Sequence, residues 1–149
     1  MAVRRDTPYP QFNFLVNLGS GETDGPDAGF QEVSGIGMTL DVIEYRNGND
    51  RENAVRKLPG LARYPNVTMK RGVIGSLALY QWIDQSRNAD AAAARTVTVE
   101  LLSEDRAPVQ TWKLLRARIV KHVSGPFNGK GTDVAIEELV LAYERLELE

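Results

Sequence analysis

Turn-forming glycine and proline residues divide this chain into short segments in which apolar and polar side chains alternate. Residues 11–18 show the pattern most clearly, because every second position is apolar: Phe12, Phe14, Val16 and Leu18. A period of two with aromatic and β-branched residues is typical of a half-buried strand. The sequence therefore predicts a fold that is built mainly from strands.

Similar signals predict strands over residues 30–34, 39–46, 66–71, 96–102 and 109–120. The first two of these are separated by a short glycine-containing link, so we expect them to form a β-hairpin. One segment has helical spacing instead: Leu79, Trp82 and Ile83 share a face at i, i+3 and i+4. This spacing predicts a single helix over residues 77–87, with Ser76 as its N-cap.

The segment 132–149 fits two patterns. Ile136, Leu139, Val140 and Tyr143 form a helical stripe, whereas a weaker alternation over the same residues suits a strand. Periodicity favours the helix and leaves the strand open. With about seven strands and no β-α-β alternation, we predict one domain over residues 1–149. Its expected fold class is mainly β, an antiparallel β-sandwich or barrel with one flanking α-helix.

Composition excludes several classes of function. The 149 residues include 18 basic and 20 acidic side chains, a net charge of −2, which is no electrostatic footprint for nucleic acid. Without cysteine and with His122 as its single histidine, the chain has no disulfides, thiolate chemistry or histidine-pair metal site. We expect no enzyme activity, no cofactor and no metal. Neither a secretory signal nor a membrane span is predicted, so we expect a cytoplasmic protein.

Glycine-rich stretches at 19–24, 35–40 and 125–132 superficially suggest nucleotide-binding loops. Their spacing does not fit, and neither of the first two lies between a parallel strand and a helix, so we interpret all three as turns. His122 is interpreted as a packing or surface residue.

Eight segments in order resemble the inner-tube protein family of contractile phage tails and related contractile injection systems. The resemblance covers almost the entire chain. Its segments are FNFLV at 12–16, FQEVSG at 30–35, EYRNG at 44–48, KLPG at 57–60, NVTMKRG at 66–72, LYQW at 79–82, VQTW at 109–112 with Leu114, and AIEELVLAYE at 135–144.

This resemblance implies a compact β-sandwich or barrel that closes into hexameric rings, which stack into a tube around a lumen. It implies that sheath and baseplate proteins are partners, and that the lumen holds protein cargo in some systems. It also implies that residues 136–147 form the final strand, against the helical periodicity.

A stacked tube needs contacts between rings, and the long polar segment 47–61 is the natural candidate for them. Its charges suit the setting of register between rings, and its Leu-Pro-Gly-Leu end supplies an apolar anchor. The predicted inter-ring stacking loop comprises Asn47, Asn49, Asp50, Arg51, Glu52, Arg56, Lys57, Leu58 and Pro59.

The lumen wall is expected to be polar, so that cargo does not adhere to it. The predicted lumen-facing residues are Thr39, Asp41, Glu44 and Arg46 on one strand, or Thr98 and Glu100 on another. Two alternative functions stay open. One is a tube-initiator or baseplate-adaptor paralogue of the same fold. The other is a small-ligand-binding β-barrel, which requires a cavity lined by Phe12, Phe14, Trp82 or Trp112.

Overall fold

The computed structural model describes residues 2–21 and 23–149. Glu22, within the turn predicted at 19–24, lies outside the described residues. Those residues form one α-helix, α1 (Ala78–Arg87), two short 3-10 helices (Pro26–Ala28 and Ala91–Ala93) and nine strands: β1 (Phe14–Asn17), β2 (Phe30–Ser34), β3 (Thr39–Tyr45), β4 (Arg56–Arg63), β5 (Val67–Gly72), β6 (Arg95–Leu102), β7 (Pro108–Ser124), β8 (Ile136–Ala142) and β9 (Arg145–Leu148). The predicted mainly β class with one helix is confirmed.

The long strand β7 belongs to two sheets. Its first part pairs with β6 and β9, and its second part, from Arg118 onward, pairs with β8. Between these parts Arg116 has a φ of 52°, where the strand changes sheet. The first sheet is therefore β1-β6-β7-β9 and the second is β7-β8-β5-β2, with every pairing antiparallel. The fold is a sandwich that does not close into a barrel.

The core lies between the two sheets and beneath α1. The first sheet contributes Val97 and Leu114, and the second contributes Met69 and Leu139, all fully buried. From the helix, Leu79 and Trp82 enter this core, and the Trp82 indole N–H donates to the Ala93 carbonyl at 2.6 Å. This bond satisfies a donor that burial would otherwise leave unpaired, and it fixes the alanine-rich link after α1. Within the described residues no helix is long and apolar enough to cross a membrane.

The strands β3 and β4 form a separate two-stranded hairpin outside the sandwich. They continue β2 and β5 through a bend, because Ser34 pairs with Thr68 on one side of it and Thr39 pairs with Arg63 on the other. The predicted hairpin between residues 30–34 and 39–46 is therefore wrong. A strand pairs across a turn only when the turn reverses the chain, and the link at 35–38 bends the chain without reversing it.

The segment 132–149 is β-structured, as the resemblance implied and against the helical periodicity. It forms two strands rather than one, because the chain breaks at Tyr143 and Glu144 between β8 and β9. Alternating burial along β8 explains the outcome: Glu137, Leu139 and Leu141 face the core and their neighbours do not. The helix is confirmed near its predicted bounds, although Leu77 occupies the N-cap position and Ser76 Oγ accepts from the Ala78 N–H at 3.2 Å.

A buried ion pair crosses the second sheet. The guanidinium of Arg71 is 1% exposed and donates from Nε to Glu137 Oε1 at 2.5 Å, and from Nη1 to the Asp27 carbonyl at 2.6 Å. The other carboxylate oxygen of Glu137 lies 3.1 Å from His122 Nε2. His122 is thus a packing residue of this network, as the sequence suggested. Through its bond to Asp27, Arg71 also holds the segment that precedes β2 against the second sheet.

We predict that Glu137→Gln destabilises the fold by about 3 kcal/mol, because it leaves the buried Arg71 charge with only the exposed Asp27 carboxylate, 3.7 Å from Nη1, as a counter-ion. Urea unfolding measures the loss. The matched control is Glu147→Gln in the exposed Arg145–Glu147 pair at 3.4 Å, where we expect a change below about 0.5 kcal/mol. Equal effects of the two substitutions would contradict a structural role for the buried pair.

We also predict that the bend at the base of the hairpin requires Gly35. Its φ is +93°, and a Cβ there would lie 2.6 Å from the Asn66 carbonyl oxygen. Gly35→Ala should therefore lower the free energy of unfolding by about 3 kcal/mol. Gly75 has a φ of +80° with nothing near its Cβ position, so Gly75→Ala isolates the backbone strain and should cost only about 1 kcal/mol.

Candidate assembly surfaces

The β3–β4 hairpin exposes apolar side chains on both of its faces. Strand alternation places Ile43 and Tyr45 on one face and Leu40 and Val42 on the other, and all four are about half exposed or more. On β4, Leu61 is 74% exposed. Several exposed large apolar side chains on one small element indicate an interaction site. The hairpin is therefore the prime candidate for contacts between copies of the chain.

The predicted lumen residues of β3 do not share one face. Thr39 and Asp41 lie on the face of Ile43, whereas Glu44 lies on the face of Val42. Asp41 is paired with Arg63, whose Nε donates to its carboxylate at 2.6 Å. No single face of the hairpin can therefore present the whole predicted set.

Arg46, one of the residues predicted to face the lumen, organises the loop that follows β3. Its guanidinium donates to the carbonyl oxygens of Asp50 at 2.8 Å and Glu52 at 3.0 Å. The Asn47 N–H donates to Asp50 Oδ2 at 3.1 Å, and the Asp50 N–H returns to the Asn47 carbonyl at 3.1 Å. Tyr45 adds a hydrogen bond from its hydroxyl to the Asn47 side chain. The tip of the hairpin is consequently a folded loop rather than a loose one.

The predicted stacking loop at 47–61 is only partly a loop. Asn47, Asn49, Asp50, Arg51 and Glu52 lie in the hairpin tip, as expected. In contrast, Arg56, Lys57, Leu58 and Pro59 belong to β4, so the expectation of one long loop over the whole segment is wrong. Cross-strand pairing explains the difference, because Lys57 lies opposite Glu44, Leu58 opposite Ile43 and Pro59 opposite Val42.

Tyr143 anchors the base of the hairpin to the sandwich. Its hydroxyl donates to the Gly37 carbonyl at 3.1 Å and accepts from the Gly37 N–H at 3.4 Å. The Tyr64 ring packs against it with a centroid separation of 5.7 Å. Burial raises the pKa of Tyr143, so the hydroxyl stays protonated and able to donate. The hairpin is thereby held in a fixed direction.

Both sheets carry polar side chains on their outer faces. Thr98 and Glu100 point outward from β6, whereas Val97 and Val99 are buried on the core side. Lys113 of β7 lies opposite Thr98. On the second sheet, an acid–base–acid row crosses three strands. It consists of Glu32, Lys70 and Glu138, with 3.7 Å between the charged atoms of the first two. Sequence reasoning missed this row, because its members lie on strands far apart in the chain.

The edges of the sandwich carry strands with only one partner. Within the described residues, β1 pairs only with β6 and β2 pairs only with β5. An unpaired edge offers a row of N–H and C=O groups to another chain. Among the same residues β9 also has a single partner, β7, so the edges of three strands are free to contact neighbouring molecules.

A groove of about 820 Å³ lies between β2 and the first sheet. Phe12, Phe14 and Trp112, three of the residues predicted for a ligand cavity, line it, whereas Trp82 is in the core instead. Its other walls come from Val33, Ile36, Val99 and Leu101, and its rim from Gln11, Gln31, Glu32, Ser34 and Gly35. The groove is thus an open continuation of the hydrophobic core.

The N-terminal arm folds over the turn between β6 and β7. Arg5 donates two hydrogen bonds to the Glu104 carboxylate, each 2.8 Å, and stacks 3.8 Å from the centre of the Tyr9 ring. The Val3 N–H donates to the Val109 carbonyl at 2.8 Å. The hydrogen bonds from Arg5 lower the pKa of Glu104 from 4.5 to about 2.

These surfaces define a class of protein: a mainly β subunit whose exposed hairpin and free strand edges are suited to self-assembly. The sequence profile of the T4-like virus tail tube protein gp19 family matches residues 10–147. The chain belongs to this family of structural tube proteins. Comparison with curated protein sequences finds no match.

Solved structures agree with the family assignment. A chain in the sheath–tube complex of an extracellular contractile injection system, PVC, in the extended state is 28% identical, with a TM-score of 0.82 over 95% of this chain and 91% of that chain. A chain in the tube-terminating cap of the anti-feeding prophage is 26% identical, with a TM-score of 0.81 over 100% of this chain and 95% of that chain. Hcp1 from Flavobacterium johnsoniae shares the fold alone, at 14% identity and a TM-score of 0.54 over 91% of this chain and 93% of that chain.

We predict that Glu104→Gln loosens the N-terminal arm. Because the folded pKa lies below the ordinary value, the ionised carboxylate favours docking above about pH 4.5, and this contribution disappears as the pH falls towards about 2. Hydrogen exchange of the Val3 amide should accelerate in the variant at neutral pH. Glu147→Gln, at another exposed carboxylate, is the control; unchanged protection in Glu104→Gln would show that Arg5 does not hold the arm.

Proposed function

We propose that this chain is the repeating subunit of the inner tube of a contractile injection system or phage tail, assembling as stacked hexameric rings around a lumen. The observation that carries this proposal is the β3–β4 hairpin, with apolar side chains uncovered on both faces, on a chain of the tail tube family. In a monomer these apolar side chains stay exposed to water, whereas contacts within a ring would bury them. The role is structural and involves no catalysis.

A ring forms when a head-to-tail contact closes under rotation. The free edges of β1 and β2 make a contact of this kind possible, since a different surface of each neighbour is used. Pairing at an edge also satisfies backbone groups that water would otherwise solvate. We therefore assign the lateral contacts of the ring to the edges and the hairpin.

The folded tip of the hairpin is our candidate for the contact between rings. Asp50, Arg51 and Glu52 place charges of both signs at this tip, and Arg46 holds the loop in one conformation from below. A preorganised loop loses little conformational entropy when it docks. Mixed charges also favour a single register between rings.

The lumen wall is proposed to be a polar sheet face. The row of Glu32, Lys70 and Glu138 lies in the sheet that the hairpin extends, so this face is the first candidate. Thr98 and Glu100 mark the alternative face on the other sheet. Sheath and baseplate proteins as partners, protein cargo, and assembly in the cytoplasm complete the proposal, supported by the similarity to chains of sheath–tube and baseplate structures.

A tube initiator is the second candidate, because a chain in the baseplate of the anti-feeding prophage is 25% identical, with a TM-score of 0.80 over 97% of each chain. The two candidates differ in one observable. A main tube subunit polymerises into stacks by itself, whereas an initiator stops at single rings.

We predict that removal of residues 49–54 abolishes stacking and spares single rings. In register, this deletion leaves Asn47-Gly48 as a two-residue turn, with Arg46 opposite Val55 and Tyr45 still opposite Arg56. The hairpin can therefore still form without its tip. Negative-stain microscopy and sedimentation distinguish tubes from single rings.

The matched control removes residues 128–131, a separate exposed turn closed by the Gly131 N–H to the Asn128 carbonyl at 2.9 Å. Tubes should persist in this control. Full-length tubes from the 49–54 deletion would contradict the stacking role of the tip, and wild-type protein that forms no rings would contradict the proposed function.

A further inference from the structure

Asparagine stands directly before glycine at two positions of this chain, Asn47-Gly48 and Asn128-Gly129. In such a pair the backbone nitrogen of the glycine can attack the side-chain amide carbon of the asparagine. Glycine has no Cβ, so it neither shields its own nitrogen nor restricts the backbone rotation that the attack requires. Both pairs lie in turns between strands, and both glycines have open space where a Cβ would be. The two turns nevertheless hold their asparagines differently.

The side-chain amide of Asn47 is held back from Gly48. The hydroxyl of Tyr45 donates to Asn47 Oδ1, and because Tyr45 precedes Asn47, this bond draws the amide back along β3. The backbone of Asn47 is fixed as well, through its N–H to Asp50 Oδ2 and its carbonyl from the Asp50 N–H, each at 3.1 Å. Attack by Gly48 therefore requires that the Tyr45 bond and the turn open first.

The side-chain amide of Asn128 is instead drawn forward over Gly129. Its Oδ1 accepts from the Lys130 N–H at 3.0 Å, a bond that spans the Gly129 peptide and brings the amide carbon towards the Gly129 nitrogen. The Gly129 N–H has no hydrogen-bond partner within the described residues. The Lys130 N–H also stabilises the negative charge that develops on Oδ1 during attack. Asn128 is exposed, so water reaches it freely.

We propose that Asn128 is a site of spontaneous covalent modification by deamidation, whereas the fold protects Asn47. The Gly129 nitrogen loses its proton to solvent and bonds to Asn128 Cγ, the Cγ–Nδ2 bond breaks, and Nδ2 leaves as ammonia. Water then opens the resulting cyclic imide. Opening at Cγ gives aspartate, and opening at the main-chain carbonyl carbon gives isoaspartate. Water is the only co-reactant, and no group is oxidised or reduced.

The charge that deamidation adds has different consequences at the two positions. Each event converts a neutral amide into a carboxylate on a chain whose net charge is −2. At Asn128 the new carboxylate lies beside the exposed Lys130, an arrangement that costs the fold little. At Asn47 it would lie beside Asp50, whose own carboxylate accepts from the Asn47 N–H. The fold thus protects the asparagine at which an added charge would be harmful.

Deamidation of the full chain in mildly alkaline buffer tests the proposal. Tryptic peptides 47–51 and 122–130 separate the two sites, and mass spectrometry with isoaspartyl methyltransferase labelling measures both products. We expect modification at Asn47 to be about tenfold slower than at Asn128, since breaking the Tyr45 bond raises the barrier to attack. In urea, where neither turn persists, the two rates should converge.

The Gly129→Ala variant tests the chemistry at Asn128. A Cβ at Gly129 meets nothing within 4 Å, and the φ of this glycine lies outside the region that disfavours other residues. The variant should therefore fold as the wild type does, while the added methyl group hinders the attacking nitrogen. The rate at Asn128 should fall to that of Asn53-Ala54 in the same chain.

The Tyr45→Phe variant tests the protection of Asn47. It removes only a hydroxyl from a side chain that is 49% exposed, so the fold should persist. The rate at Asn47 should rise towards that of Asn128, and the rate at Asn128 should not change. The matched control is Tyr80→Phe on α1, at a tyrosine that is 52% exposed, which should alter neither rate.

Three results would overturn the proposal. They are equal or faster modification of Asn47 in the folded chain, an unchanged rate at Asn128 in Gly129→Ala, and an unchanged rate at Asn47 in Tyr45→Phe. Modification of both sites in urea with none at Asn128 in the folded chain would overturn it as well. Ring and tube formation enters none of these measurements, so the inference stands or falls independently of the proposed function.

Discussion

The architecture depends on one strand that serves two sheets. β7 spans 17 residues and passes from the first sheet to the second at Arg116 and Ala117. Because it holds both sheets together along one side, the sandwich is closed there and open on the side of β1 and β2. The positions of the core, the groove and the free edges all follow from that asymmetry. A closed barrel would have neither free edges nor an open groove.

Assembly of identical copies then completes an incomplete fold. In the isolated chain, the strand edges, the groove and the hairpin each leave an interaction unmade. A subunit with these features is most stable when identical copies supply the missing partners, and a repeating contact of one kind generates a ring. The buried Arg71–Glu137 pair and the Tyr143 hydroxyl keep the edge and the hairpin in position before any copy arrives. Such preorganisation lowers the entropic cost of each contact.

Local patterns in the sequence predicted individual strands and the helix far better than they predicted which strands pair. The alternation around Phe14 and the helical spacing of Leu79 and Trp82 are local, so β1 and α1 follow from them directly. Pairing is not local: β2 pairs with β5 rather than with the next strand, and the charges of Glu32, Lys70 and Glu138 meet only in the folded sheet. The helical stripe of the last segment was misleading, because its apolar residues also fit the alternate positions of β8.

Strand β4 was not predicted from the sequence. β4 contains Pro59 and Gly60, residues that individually disfavour strands, and its composition is that of a polar loop. It becomes a strand because β3 pairs with it, and Gly60 is needed where a Cβ would lie 2.9 Å from the Asp41 carbonyl oxygen. The residues predicted for stacking are therefore divided between a loop and a strand, and their role in stacking stays a prediction.

The residues that made β4 difficult to predict also protect the hairpin from indiscriminate strand pairing. A proline, a lysine and an irregular register are the devices by which natural edge strands avoid indiscriminate pairing. β4 has all three, in Pro59, Lys57 and the register shift opposite Asp41. Its backbone is thus a poor template for any strand that it meets, although its apolar side chains remain available. A hairpin with these properties is suited to bind through the shape and charge of its side chains rather than through its β4 backbone, which lets subunits stay separate until a matching surface is presented.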